Sequence, residues 1–362
     1  MKRNLNYSLS TKMNITYVLD RWYDENSREL PWRNTNDPYK IWVSEIILQQ
    51  TRVNQGLEYY KNFIKKFPDV HALGKSSLDE ILKVWQGLGY YNRAKHMHET
   101  SKIIDQARNG KFPSNYKELL KLKGIGEYTA AAIASFAFNE PIATIDGNIQ
   151  RFITRLYGID APVNSRQGKK RIQELSANLL NKNNPGKHNQ AMIEFGAIHC
   201  KPKQPKCNEC PFHSICVAYQ KNLIHQLPVK SQTPKKTNRY FNFLIIRHRN
   251  KVFLEKRNSK NIWKNLYQFP LIESSEREEI AQIMQTDKWK QIFSDIQPDS
   301  IDEFKEYKHV LTHQNLYARF YLIKTRTISE YLKQNFIEIN LSMLNKYPIP
   351  RLIERFLEEE KI

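Results

Sequence analysis

Four groups of residues in this chain have the types and spacing to do chemistry. The first is Leu122-Lys123-Gly124-Ile125-Gly126, with helix-like sequence on both sides. Two glycines one residue apart let a backbone turn sharply and approach a partner closely. The helix expected from Glu127 begins with unpaired N–H groups, which attract a phosphate. The second is Asp146-Gly147-Asn148, a carboxylate in a turn after an uncharged run from Pro141. The third is Glu45, the one acid in PYKIWVSEIILQQT. On a helix its neighbours are Ile41, Trp42, Leu48 and Gln49, so its carboxyl lies on a largely apolar stripe. Desolvation there raises a carboxyl pKa and keeps the group protonated, as a general acid requires. The plain alternatives are a helix cap for Asp146 and an edge carboxylate snorkelling to water for Glu45.

The fourth group is Cys200, Cys207, Cys210 and Cys216, which are all the cysteines of the chain. Thiolates spaced C-x6-C-x2-C-x5-C hold either a 4Fe–4S cluster or zinc. Zinc sites usually carry two C-x2-C pairs and this chain has one, so the spacing fits the cluster better. A purely structural metal staple is the bland reading. Lys201, Lys203 and Lys206 make the loop between the first two ligands basic enough to reach a phosphate backbone.

The elements that must position these groups follow from pattern. Helices are expected from about Tyr39, through much of 57–110, from Glu127, and at about 148–159, 167–182 and 187–199. WQGLGYYNRA at 85–94 interrupts the second stretch with two glycines, Tyr90, Tyr91 and Arg93. Aromatics in such a turn stack on or wedge between bases; as a bland alternative they are core tyrosines. LPVKSQTPKKTNRY is rich in proline and cations and reads as an exposed linker. Beyond it the pattern turns to strands at Tyr240–Arg247, 252–255 and 309–325, with a charged helix at about 276–291 and a last helix near 349–360. The expected division is a helical region over 1–225, a linker over 226–239 and an α+β domain over 240–362.

The 362 residues carry a formal net charge of +20, +13 over residues 1–225 and +7 over 226–362. Both halves are thus suited to an acidic polymer. No apolar run approaches the length of a membrane span, and the start has no apolar signal core. A soluble cytoplasmic protein at the nucleoid, with no membrane partner, is expected.

Taken together, LPWR, SEIILQQT, WQGLGYY, the glycine hairpin, IDGN and the four cysteines stand in the order found in helix-hairpin-helix DNA glycosylases. The chain resembles the MutY-type adenine DNA glycosylases over nearly its whole length. That resemblance implies an all-α, two-lobed catalytic region with a 4Fe–4S cluster, followed by a smaller α+β Nudix-like domain. It implies excision of adenine from double-stranded DNA, opposite 8-oxoguanine or guanine, by a monomer. Position by position, Glu45 matches the catalytic acid and Asp146 the carboxylate that stabilises the cationic sugar. Tyr128 and Asn148 match residues that hold them. Arg33 matches a contact to the flipped adenine, Gln50 and Thr51 residues beside the lesion, and Tyr90 a wedge near the opposite base. Lys123, Gly124 and Gly126 belong to the phosphate-binding hairpin. Endonuclease III-type relatives have a lysine nucleophile where this chain has Tyr128, which cannot form a Schiff base. A monofunctional enzyme is expected, although Lys121 and Lys123 lie nearby. In the C-terminal domain the family reads the lesion through Phe-Ser-His; this chain has Leu311-Thr312-His313. Thr312 and His313 keep polar groups, and the aromatic is lost. No glutamate-rich Nudix hydrolase box follows Phe269-Pro270, so the domain is expected to bind and not to hydrolyse. The competing readings are a glycosylase/lyase acting on oxidised pyrimidines and a non-catalytic lesion-binding protein.

Overall fold

The computed structural model describes residues 9–231, 236–258 and 262–361, with side chains from residue 15. They form two compact units: 9–74 with 99–231, and 75–98 with 236–361.

The first unit is helical. The Pro38–Leu48 helix starts with proline at its first position, while the Asp37 side chain accepts from Tyr39 N–H. All residues from Ile41 to Ile47 are buried, and Glu45 is carried in with them. This helix packs on Val53–Lys66 and on Glu127–Phe138, whose Ala130–Ala134 run is fully buried. A second core gathers Leu19, Phe152, Ile153, Ile172, Met192 and Phe195 from the helices Leu9–Asn26, Gly147–Tyr157, Arg166–Leu179 and Pro185–Glu194, together with the turn that follows the last. Glu45 and Asp146 therefore come from helices in different cores. The Gly147–Tyr157 helix ends at Gly158 with φ +65°, where an added Cβ would lie 2.4 Å from Val217.

Among the described residues the second unit is built on an eight-stranded sheet. Its central strands, Thr237–His248 and Gln314–Lys324, run parallel with Phe243 opposite Phe320; the other pairings are antiparallel. Alternation along the central strands sends Phe241, Phe243 and Phe320 into one core with Phe356 of the Arg351–Glu360 helix. It sends Leu244, Ile246 and Ile323 into another with Trp289 and Leu332.

One expectation needs correction, and two features of the packing stand beside it. The helix expected at about 276–291 is two short ones, Ile280–Ile283 and Asp287–Ile292, because Thr286 caps the second with its hydroxyl on Trp289 N–H. The stretch 226–239, read as an exposed linker, is attached over its described first part. Leu227 is buried and its carbonyl accepts from Arg155, while Val229 accepts from Val163 N–H. Residues 232–235 lie outside the described residues. Residues 75–98 belong with the C-terminal sheet: Asp79 accepts from Lys256 at 2.6 Å and from the Tyr267 hydroxyl at 2.8 Å, and Gln86 donates to Glu354 at 2.6 Å.

Candidate active site

In the first unit one cavity of about 510 Å3 is lined by Arg33, Glu45, Gln50, Thr51, Tyr128, Asp146 and Asn148, seven of the residues singled out from sequence. Glu45 is 7% exposed. Burial pushes its pKa up to about 7; the Tyr128 hydroxyl, bonded to it, and Arg33 act against that rise, while Asp146 adds to it. The same burial, with both carboxylates near, holds the Tyr128 phenol far above its ordinary range. Tyr128 thus keeps its proton beside Glu45.

Asp146 caps the Gly147–Tyr157 helix. Its Oδ1 accepts from Asn148 N–H at 2.9 Å and Ile149 N–H at 2.8 Å, and its Oδ2 accepts from the Asn148 side-chain amide at 2.6 Å. The plain reading of this aspartate as a cap is therefore correct, and the carboxyl lines the cavity as well. Burial raises its pKa against the pull of these three donors and of Arg151. Both acids are thus shifted upward, with far more hydrogen bonding to hold the anion at Asp146 than at Glu45.

Arg33 lines the cavity with its guanidinium already engaged. It donates to Glu194 at 2.6 Å and to the Arg28 carbonyl at 2.9 Å. Glu194 is fully buried and also takes two side-chain bonds from Arg28. Burial alone would raise the Glu194 pKa, but the Arg28 and Arg33 donors bring it down to about 2. Sequence reasoning missed Arg28 and Glu194. The available signal was an acid isolated in the run AMIEFGAI, the same signal that marked Glu45.

It also missed Arg151. Arg151 donates to the Asn148 side-chain carbonyl at 2.9 Å, to Gly196 O at 2.6 Å and to Cys200 O at 2.7 Å. A chain of hydrogen bonds thereby joins Asp146, Asn148, Arg151 and the backbone of the first cysteine.

The glycine hairpin lies directly before Tyr128. Gly124 has φ +77°, a conformation that favours glycine, and Gly126 precedes the helix with open space where a Cβ would stand. Thr100 donates to Lys123 O at 2.7 Å and fastens the turn. Lys123 pairs with Glu99 at 2.7 Å, and Lys121 pairs with Glu118. The two lysines nearest the hairpin are thus held by carboxylates.

The four cysteines line a separate cavity, walled by Phe152, Phe195 and Phe212. Burial raises the thiols of Cys207 and Cys216 and pushes Cys210 up to about 12. Arg155 donates to the Cys200 sulfur at 3.5 Å. Among the described residues no three His, Cys, Asp or Glu side chains converge as one bound ion would need.

Three predicted residues lie in the second unit. Thr312 and His313 are exposed at the tip of the hairpin between Tyr307–Val310 and Gln314–Lys324. Tyr90 is 52% exposed with φ +48°, and its hydroxyl shares a 2.8 Å hydrogen bond with that of Thr312. Arg93 lies over the rings of Tyr90 and Trp85. Sequence reasoning proposed each end of the Tyr90–Thr312 contact but not the contact itself.

Comparison with known proteins gives the family of the chain. Residues 43–193 match the HhH-GPD superfamily base excision DNA repair protein model, and residues 242–359 match the NUDIX domain model. The adenine DNA glycosylase of Buchnera aphidicola subsp. Baizongia pistaciae is 40% identical over 87% of this chain and 87% of its own length. That of Buchnera aphidicola subsp. Acyrthosiphon pisum is 34% identical over 97% and 99%. Among solved structures, a thermostable thymine-DNA glycosylase is similar with a TM-score of 0.54 at 30% identity, over 59% of this chain and 98% of its own. At this identity and coverage, with both domain models matched, the chain belongs to the adenine DNA glycosylase family.

Proposed function

We propose that this protein excises adenine from DNA, opposite 8-oxoguanine and less efficiently opposite guanine, as a monofunctional glycosylase that works as a monomer in the cytoplasm at the nucleoid. The observation that carries the reading is the pairing of Glu45 and Asp146, from two different cores, on the wall of one cavity with Tyr128.

An adenine flipped out of the duplex enters that cavity at a cost of a few kcal/mol, least at a mispair. Glu45, neutral up to about pH 7, gives its proton to the imidazole ring of the base and makes it a better leaving group. As the glycosidic bond breaks, its electron pair leaves with the base, and positive charge grows on the sugar. Asp146, its anion held by three donors, stabilises that cation or attacks it to form a short-lived adduct. Glu45, now ionised, takes a proton from the incoming water, which ends on the sugar. Two acids in unlike settings, one proton donor and one anion, are the division of labour of a retaining glycosidase. Tyr128 and Asn148 position the pair. Arg33, fixed by Glu194, presents a cationic wall to the base. Gln50 and Thr51 sit at the end of the Glu45 helix, where they meet the displaced strand. Lys123, Gly124 and Gly126 hold a backbone phosphate. Tyr90 wedges at the opposite base, and Thr312 and His313 read it.

Cys200, Cys207, Cys210 and Cys216 suit a 4Fe–4S cluster. All four cysteines line one cavity walled by Phe152, Phe195 and Phe212, and their single C-x2-C pair suits a cluster better than zinc. Bound there, the cluster supplies metal–thiolate bonds that order the 200–216 segment. The ion pairs on Lys121 and Lys123 favour simple hydrolysis over lyase chemistry.

The test is a single-turnover assay on duplexes with adenine opposite 8-oxoguanine, guanine and cytosine in turn. Fast adenine release opposite 8-oxoguanine, slower release opposite guanine and none opposite cytosine is the expected order. Strand cutting with a trapped covalent adduct and no free adenine would overturn it.

A further inference from the structure

A second cavity, of about 700 Å3, shares Tyr128 and Ile145 as walls with the cavity that holds the acids. Among the described residues its lining includes the buried Ala131 and Ile172, and three cations, Arg166, Lys169 and Lys170, against a single acid, Glu127. The cations are exposed, and among the described residues none of them has a carboxylate partner, whereas the next one, Arg171, pairs with Glu174 at 3.7 Å. They occupy the first five residues of the Arg166–Leu179 helix, where the backbone dipole works against positive charge, and that first turn contains no acid. Helix stability therefore does not account for them. Glu127, on the same cavity, directly follows the hairpin Lys123-Gly124-Ile125-Gly126.

We infer that this basic groove carries phosphodiesters of the DNA strand flanking the excised nucleotide. The inference rests on the glycosylase reading above and extends it. A nucleotide held at Glu45 and Asp146, with a phosphate at the hairpin, leaves the rest of its strand to run on across the protein. The groove borders the acid cavity through Tyr128 and the hairpin through Glu127, and it offers three uncompensated cations where further phosphates arrive. Such contacts fix the register of the strand and carry no sequence information.

The test is equilibrium binding of the intact protein to a labelled duplex in which 2′-fluorination of the target adenosine blocks cleavage, over a salt series from about 50 to 200 mM. Neutralising a phosphate contact lowers the slope of log K against log salt by about 0.9. Lys169→Gln with Lys170→Gln is expected to make the slope shallower by about 1.8, equally for mispaired and matched duplexes, and adding Arg166→Gln to lower it again. Lys324→Gln with Lys333→Gln is the control. Those lysines pair with Asp302 and Glu330 in the second unit, and their removal changes net charge by the same amount. A parental slope in the groove variant, or an equal loss in the control, overturns the proposal. Adenine release is followed separately. If the parent releases none from any duplex, the glycosylase reading fails, while the salt slope still reports on the groove.

Discussion

The proton on Glu45 is held by burial, and burial of a carboxyl has a stability consequence of definite sign. Folding raises its pKa from 4.5 to about 7. The folded state then binds this proton more readily than the unfolded state does. Stability present below pH 4.5 is lost as pH rises through that window, and at most about 3 kcal/mol has gone once pH passes 7. Glu45→Gln keeps the neutral shape and cannot ionise. It should lose adenine excision and yet be the more stable protein near pH 8, with the difference shrinking toward about pH 5. Denaturant melts at the two pH values check this, and equal stability gaps at both would remove the claim that burial sets the proton. The same cause gives excision in the parent a falling limb above about pH 7. Because the Tyr128 hydroxyl favours ionised Glu45, Tyr128→Phe should move that limb to higher pH as well as slow the reaction.

At the scale of elements, Asp146 has two duties that substitution can separate. As a cap it accepts backbone N–H groups at the start of Gly147–Tyr157; as a charge it faces the cavity. Asp146→Asn retains a capping oxygen and loses the anion, so excision should fall by orders of magnitude with little change in melting temperature. Asp146→Ala loses both, and should in addition be destabilised by about 1 kcal/mol, the usual cost of a lost cap. Identical melting of the two variants would mean that the cap is not stabilising. This element was readable in the sequence because a turn, an acid and a glycine are local signals. Gly124 was readable for the same reason, since a helix–turn–helix of that length needs one residue at positive φ. Arg151 and Arg28 were not: one lies in a helix and the other in the loop after one, their partners are backbone carbonyls, Asn148 and a distant glutamate, and an arginine carries no mark of what it will reach on folding. The broken helix at 276–291 was hidden because Thr286, a capping residue, sits inside a charged stretch that otherwise continues the helical pattern.

At the scale of the whole molecule, the sequence boundary and the packing boundary differ, and that difference can be measured. The family model that matches residues 43–193 includes 75–98, yet those residues pack with the C-terminal sheet. Asp79 is shared by Lys256 and Tyr267, and the Gln86 side chain both donates to Glu354 and accepts from Ile349 N–H. Tyr90 meets Thr312 there too, so the three residues proposed to handle the opposite base, Tyr90, Thr312 and His313, are positioned by one unit. A chain ended at Ser231 keeps the Arg155–Leu227 and Val163–Val229 bonds and both cores of the first unit, but strips these partners from 75–98. Its Leu78–Val84 helix is seven residues long, too short to persist without tertiary support. Hydrogen exchange should therefore rise through 75–98 in the shortened chain while Gly147–Tyr157 and Glu127–Phe138 stay protected. If 75–98 exchanged as slowly there as in the full chain, the segment would be stable by itself, and the sheet domain could be removed without disturbing the Tyr90 turn.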